Sequence, residues 1–100
     1  MAGALTLAGE LTIYTVGELR ESWSAWLATL DPAEARAQAD GGAVAEVDGA
    51  GAQLLLALAR SCAARGQPLV VEPCSATLAA ACEVLGLGAM LAGEPTGAPQ

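Results

Sequence analysis

Ala45-Glu46-Val47-Asp48-Gly49-Ala50-Gly51-Ala52-Gln53-Leu54-Leu55-Leu56-Ala57-Leu58 decides how this chain is read. A short apolar strand runs into an aspartate, then a Gly-x-Gly turn, then a helix with a broad apolar face. That handover places a bare backbone turn and a helix N-terminus at one exposed point, where a ligand or a protein can be met. The extended piece is Val44 to Val47. The helix spans about Gly49 to Ala64, with Gly66 beyond it as a natural cap. Leu55, Leu58, Ala59 and Cys62 share one face with Leu54 beside them, while Gln53, Arg60 and Ala64 lie opposite. Asp48 is placed to accept N–H bonds from the first helical turn. Gly49 and Gly51 are expected to permit a tight turn with unusual backbone angles, and their missing side chains let a partner approach.

Working outward, Leu5 to Tyr14 reads as a strand with a bend or break at Gly9 or Glu10. Thr15-Val16-Gly17-Glu18 fits a capping box. Val16, Leu19, Trp23, Trp26, Leu27 and Leu30 then recur at three- and four-residue steps, an amphipathic helix ending near Asp31-Pro32. At that spacing the two tryptophans are core residues, and one left exposed would anchor a protein interface. Arg36 to Asp40 is a strand by position but not by propensity, since Ala-Arg-Ala-Gln-Ala-Asp holds no β-branched residue. Leu69-Val70-Val71 is a buried strand. Pro73 and Ser75 open a third helix with Leu78, Ala81, Cys82 and Leu85 inward, ending at Gly86. Residues 1–92 form one domain, and 93–100 read as a frayed Gly/Pro-rich tail. Strands alternating with helices require right-handed crossovers and hence mainly parallel pairing. The expected fold is α/β: about four strands in a mainly parallel or mixed sheet, with three helices.

Composition narrows the function classes. One hundred residues with 54% apolar and 15% charged side chains make a single packed domain rather than a disordered chain. Four arginines against eleven acids give a net charge of −7, which repels nucleic-acid backbones and anionic lipid surfaces and steers a basic partner surface inward. No secretory leader or membrane-spanning run is visible; the weakly polar Ala76 to Ala92 is interrupted by Glu83, Gly86 and Gly88. Three unevenly spaced cysteines without any histidine make neither a disulfide framework nor a zinc site. Cys62 and Cys82 act as small hydrophobes. The cytoplasm is the expected location.

Catalysis is not expected. Without histidine there is no Ser-His-Asp or Cys-His arrangement, and without lysine no Walker-type loop or Schiff base. Gly49-Ala50-Gly51 is not a dinucleotide fingerprint, because Leu54 stands where the third glycine belongs. Glu46 and Asp48 alternate along a strand and point to the same side, as a solvated edge plus a helix cap rather than an acid/base pair. No metal and no cofactor is implied.

The ordered set of motifs resembles the STAS family, the domain shared by anti-anti-sigma factors and sulfate transporters. Gly9-Glu10-Leu11 is similar to the family's early Gly-Glu-Leu element. Val44 to Leu55 is similar to its Val-x-x-Ile-Asp-(Ser/Thr)-(Ser/Ala/Gly)-Gly-Leu turn and Leu-rich helix. Ala39-Asp40-Gly41-Gly42 stands in the place of the third strand. Arg65-Gly66-Gln67-Pro68-Leu69 with Pro73-Cys74-Ser75 is similar to the late strand and last helix opening. In anti-anti-sigma members a serine in the turn is phosphorylated by a kinase that is also an anti-sigma factor, and the added charge breaks the complex. Here the equivalent positions are Gly49 and Ala50, so no phosphoacceptor carries over; Thr12, Thr15, Ser61 and Ser75 remain, with Thr15 and Ser75 expected as helix caps.

The resemblance implies a non-enzymatic regulatory module in a bacterial sigma-factor, two-component or chemotaxis pathway. It would bind a kinase-like anti-sigma or chemotaxis protein through Asp48, Gly49, Ala50, Gly51 and Gln53. It equally implies a STAS-type accessory subunit that stabilises the ATPase of an ABC phospholipid transporter.

Overall fold

In the computed structural model, which describes residues 3–84 and 86, the expected first strand is broken in two. Leu5–Thr6 (β1) and Glu10–Leu11 (β2) are followed by helix Val16–Ala28 (α1), strand Ala37–Gly41 (β3), strand Glu46–Val47 (β4) and helix Gly49–Ala64 (α2). Strand Leu69–Cys74 (β5) and helix Ala76–Val84 (α3) complete the order. β1, β3 and β5 form one sheet in that order and β2 pairs with β4 in a second; every pair is parallel. Among the described residues there are five short strands where about four were expected, because Gly9 interrupts the first. The Gly9 carbonyl accepts from the N–H groups of Ala45 and Glu46 at 2.8 and 3.1 Å, leading the chain from one sheet into the other.

That strand also ends earlier than expected. Residues 12–15 form a turn instead, with the Thr12 carbonyl accepting from the N–H groups of Thr15 and Val16 at 2.9 and 3.0 Å. The same turn overrides the capping box. Thr15 does stand at the N-cap, but its hydroxyl accepts from Thr12 N–H and lies 3.0 Å from the Glu10 carbonyl, so no side-chain cap reaches into α1. α1 stops at Ala28, short of Asp31-Pro32, where the Thr29 hydroxyl donates to the Trp26 carbonyl at 2.6 Å.

β3 is the strand whose composition argued least for one, and it lies in the middle of its sheet. Its inward residues Ala37, Ala39 and Gly41 are all buried. Small residues are required there because larger neighbours fill the space: a Cβ on Gly41 would lie 2.7 Å from Leu78 Cδ2 and 2.8 Å from Val71 Cγ1. Pairing on both edges, and not intrinsic propensity, makes this segment extended.

The core gathers Leu7, Leu11, Trp23, Leu55, Leu69, Val71 and Leu78 around the two sheets. Trp23 is core as expected; Trp26 is half-buried, its indole N–H donating to the Gly3 carbonyl at 3.0 Å. Gln67 is a polar core residue that sequence reasoning did not single out. Its amide donates to the carbonyls of Asp31 and Glu34 at 2.8 and 3.2 Å and ties down the loop between α1 and β3. α2 has the expected bounds and ends in a left-handed Gly66 (φ 73°), after which Gln67 N–H returns to the Cys62 carbonyl at 3.0 Å. Ser75 caps α3 as expected: its hydroxyl accepts from Leu78 N–H at 3.1 Å and donates to the Val44 carbonyl at 2.6 Å. Leu78 and Cys82 face inward, whereas Leu85 and the expected tail from 93 onward lie outside the described residues. Among the described residues no helix is long and apolar enough to cross a membrane.

Burial raises all three thiols above the ordinary cysteine value, most of all Cys82, pushed up to about 11 by desolvation and by neighbouring Cys74. The thiolate fraction at neutral pH is accordingly small. Titration with a thiol reagent at pH 7.5 is expected to label only Cys74, which is partly exposed, on the timescale of minutes. Cys62 and Cys82 become reactive only in denaturant. Rapid labelling of all three in the native protein would contradict the packing around α2 and α3.

Candidate functional site

The turn between β4 and α2 is built on Asp48. Its backbone is extended (φ −113°, ψ −176°), and its carboxylate faces back along the first turn of α2. One oxygen, Oδ1, accepts from Gly51 N–H at 2.9 Å and caps the helix. The other, Oδ2, accepts from Ile13 N–H at 2.9 Å, across 35 residues of sequence. A single side chain thus holds two loops together, the 12–15 turn before α1 and the start of α2. These two bonds, that to Ile13 first, keep the Asp48 carboxyl below its ordinary pKa, since both stabilise only the charged form.

Gly51 explains why the loops can come so close. It is buried, and a Cβ there would collide with the carbonyl group of Leu11 and lie 2.8 Å from Leu11 Cβ. Leu11 is itself fully buried, and its carbonyl accepts from Asp48 N–H at 3.1 Å. The expected role of the two glycines therefore needs correction. Neither Gly49 nor Gly51 has a positive φ; both lie within the helix. Gly51 is required for space under Leu11, and its buried backbone faces the protein interior rather than solvent. Gly49 has nothing within 4 Å of a Cβ position and is exposed, so neither space nor angle demands glycine there.

The structure accordingly sorts the expected site residues. Gly49 and Gln53 are exposed, Asp48 and Ala50 are half-buried at the same corner, and Gly51 lies beneath them. Two residues that sequence reasoning placed in a strand join this corner. Ile13 and Tyr14 sit at the tip of the 12–15 turn, 61% and 89% exposed, and Ile13 is the residue bonded to Asp48. Their apolar character looked like strand sequence; only the turn brings them outside. Glu46 is exposed, so it forms no buried acid pair with Asp48. Ala50 and Gln53 also border a groove of about 580 Å³ between α1 and α2. Thr12 is buried with its hydroxyl 2.5 Å from Glu10 Oε2, and the Thr15 hydroxyl is engaged in the same turn. Among the described residues no group of three or more His, Cys, Asp or Glu side chains is placed to hold a metal.

A family model described as "Mlab, STAS domain" matches residues 1–92. No curated protein and no solved structure matches the chain.

Gly51→Ala is expected to cost roughly 3 kcal/mol by overpacking against Leu11. Gly49→Ala, with open space, should change stability by less than about 0.5 kcal/mol. Urea unfolding of both variants checks the pair, and equal losses would mean that the turn geometry is wrong. The lowered Asp48 pKa also carries a sign. Its contribution is present above the unfolded carboxylate value and is lost as pH falls through the lower folded value. Asp48→Asn, which retains one acceptor, should lower the melting temperature at pH 7 and flatten its decline as the solution is acidified through and below the ordinary carboxylate range. Parallel wild-type and variant curves would remove Asp48 from the acid transition.

Proposed function

This chain belongs to the STAS domain family, whose members are generally non-catalytic regulatory modules that mediate protein–protein interactions, and on that premise we propose that it is a cytoplasmic protein-binding regulator of the anti-anti-sigma type. It acts in bacterial signalling, in a sigma-factor, two-component or chemotaxis pathway, and its partner is a kinase-like anti-sigma or chemotaxis protein. The observation that carries the reading is the corner held by Asp48. There Gly49, Ala50 and Gln53 of the α2 start stand beside the exposed Ile13 and Tyr14. Backbone, small side chains and one exposed aromatic at a rigid corner suit a protein contact. Asp48 and Gly51 set its shape from beneath.

The same corner argues for binding without a phosphorylation switch. Gly49 and Ala50 stand at the family's phosphoacceptor positions and carry no hydroxyl. The nearby hydroxyls of Thr12 and Thr15 are turned into the 12–15 turn. Partner binding is then constitutive, or is controlled from elsewhere. A second reading is the accessory subunit that stabilises the ATPase of an ABC phospholipid transporter. The observation favouring it is that the matching family model is itself described by the name Mlab rather than by an anti-anti-sigma member.

Affinity purification of the tagged chain from its native cells, with mass spectrometry of the retained proteins, separates the two. Recovery of a protein with a histidine-kinase-like ATP-binding fold supports the regulator, and recovery of a transporter ATPase supports the subunit. With the partner in hand, Ala50→Asp is expected to weaken binding by about 3 kcal/mol, over a hundredfold, by introducing an uncompensated charge into the contact. Unchanged affinity would place the interface away from this corner.

A further inference from the structure

The groove between α1 and α2 has chemistry of its own. Trp23 and Leu58 are buried along it, and Leu27 and Leu54 are half-buried, leaving part of their apolar surface facing the depression. Its volume of about 580 Å³ falls in the range of small-molecule sites, which pair a mostly apolar lining with a few polar groups. The polar groups here are specific in sign. In a chain with eleven acids and four arginines, none of the described residues lining this groove is an acid, and the one charged side chain among them is Arg20.

Position adds a direction. β2 and β4 are parallel neighbours, and the two helices that follow them start side by side, joined through Ile13 and Asp48. Arg20 lies in the second turn of α1, and Gln53 at the corresponding height on α2. The guanidinium and the Gln53 amide supply donors at that end, with the Ser24 hydroxyl one turn further along. Beyond them the walls are carried by Trp23, Leu27, Ala57 and Leu58 as far as Ser61. At 1.5 Å per residue the stretch from Gln53 to Ser61 runs about 12 Å.

We infer that the α1–α2 groove is a binding site for an amphipathic monocarboxylate with a medium-length acyl tail. The carboxylate meets Arg20, whose planar fork matches it in a paired, charge-assisted geometry, and the tail lies against Trp23, Leu27 and Leu58. Charge complementarity selects an anionic head, since the described lining residues include a cation and no acid. The site adjoins the proposed protein-binding corner, and Ile13, Ala50 and Gln53 border both, but Arg20, Trp23, Leu27 and Leu58 belong to the groove alone.

The test uses the full chain and three probes of equal tail length below their micelle concentrations: decanoate, decanol and decyltrimethylammonium. Binding is followed by isothermal titration and by the change in tryptophan fluorescence, since Trp23 lines the groove. Decanoate is expected to bind saturably with one equivalent, at least tenfold tighter than the cationic probe. Arg20→Gln should weaken decanoate at least tenfold and leave decanol unchanged. Arg60→Gln, on the exposed opposite face of α2, should leave both unchanged. Ala57→Trp, at an exposed position that lines the groove, should abolish binding while circular dichroism shows the fold intact. No saturable binding, equal affinity for anion and cation, or the same loss in both arginine variants would overturn the assignment. So would binding that survives Ala57→Trp, as expected if the groove is instead covered by a protein helix or by the chain itself.

Discussion

The Asp48 carboxylate is the interaction on which the rest of this structure turns. It accepts one backbone N–H from its own helix and one from a loop 35 residues earlier, so the starts of α1 and α2 cannot move independently. Two parallel βα units must be aligned for the corner to exist, and a strand pair as short as β2 and β4 supplies few ladder bonds of its own. Leu11 reinforces the link from below. Its carbonyl receives Asp48 N–H, and that carbonyl group, with Leu11 Cβ beside it, occupies the space that Gly51 leaves open. A charged acceptor on two backbone donors is a stronger tie than a neutral bond, and Leu11 beneath it is fully buried.

This arrangement separates shape from contact at the family's signature turn. Asp48 and Gly51 are spent on geometry: one carboxylate with both oxygens occupied, one glycine covered by Leu11. In the proposed contact, Gly49, Ala50 and Gln53 carry the surface, and the exposed turn tip of Ile13 and Tyr14 extends it with apolar area. In a relative with serine at the phosphoacceptor position, charge added at this rigid corner would enter the contact directly. Here Gly49 and Ala50 carry no hydroxyl, and the neighbouring threonines serve the turn that positions the corner. Under the proposed reading, a corner without a hydroxyl suits a contact that phosphorylation does not switch.

The groove beside the corner follows from the same alignment. Because α1 and α2 start side by side from parallel strands, Arg20 and Gln53 reach corresponding heights, and the apolar flanks of both helices continue past them. Periodicity alone assigns those flanks to the core. Whether a flank meets the sheet or its neighbouring helix depends on how the helices are rotated and spaced, which the sheets and the Asp48 bridge decide.

Much of the architecture was legible in the residues themselves. The apolar spacing from Val16 to Leu27, the Asp48 cap, the bounds of α2, the Gly66 stop and the Ser75 cap depend on neighbours within a few positions, and local sequence encodes such terms directly. Other features rest on partners distant in sequence, and only the tertiary structure decided them. β3 is a strand because β1 and β5 pair with it and because Leu78 and Val71 leave room only for small residues. Thr15 yields its capping role to a turn bonded to Glu10 and Thr12. Gly51 is glycine because of Leu11, 40 positions away, and not because of its own backbone angles. Ile13 and Tyr14 belong to the candidate site because Asp48 reaches across to them, a contact between side chain and backbone that no spacing rule within either segment contains.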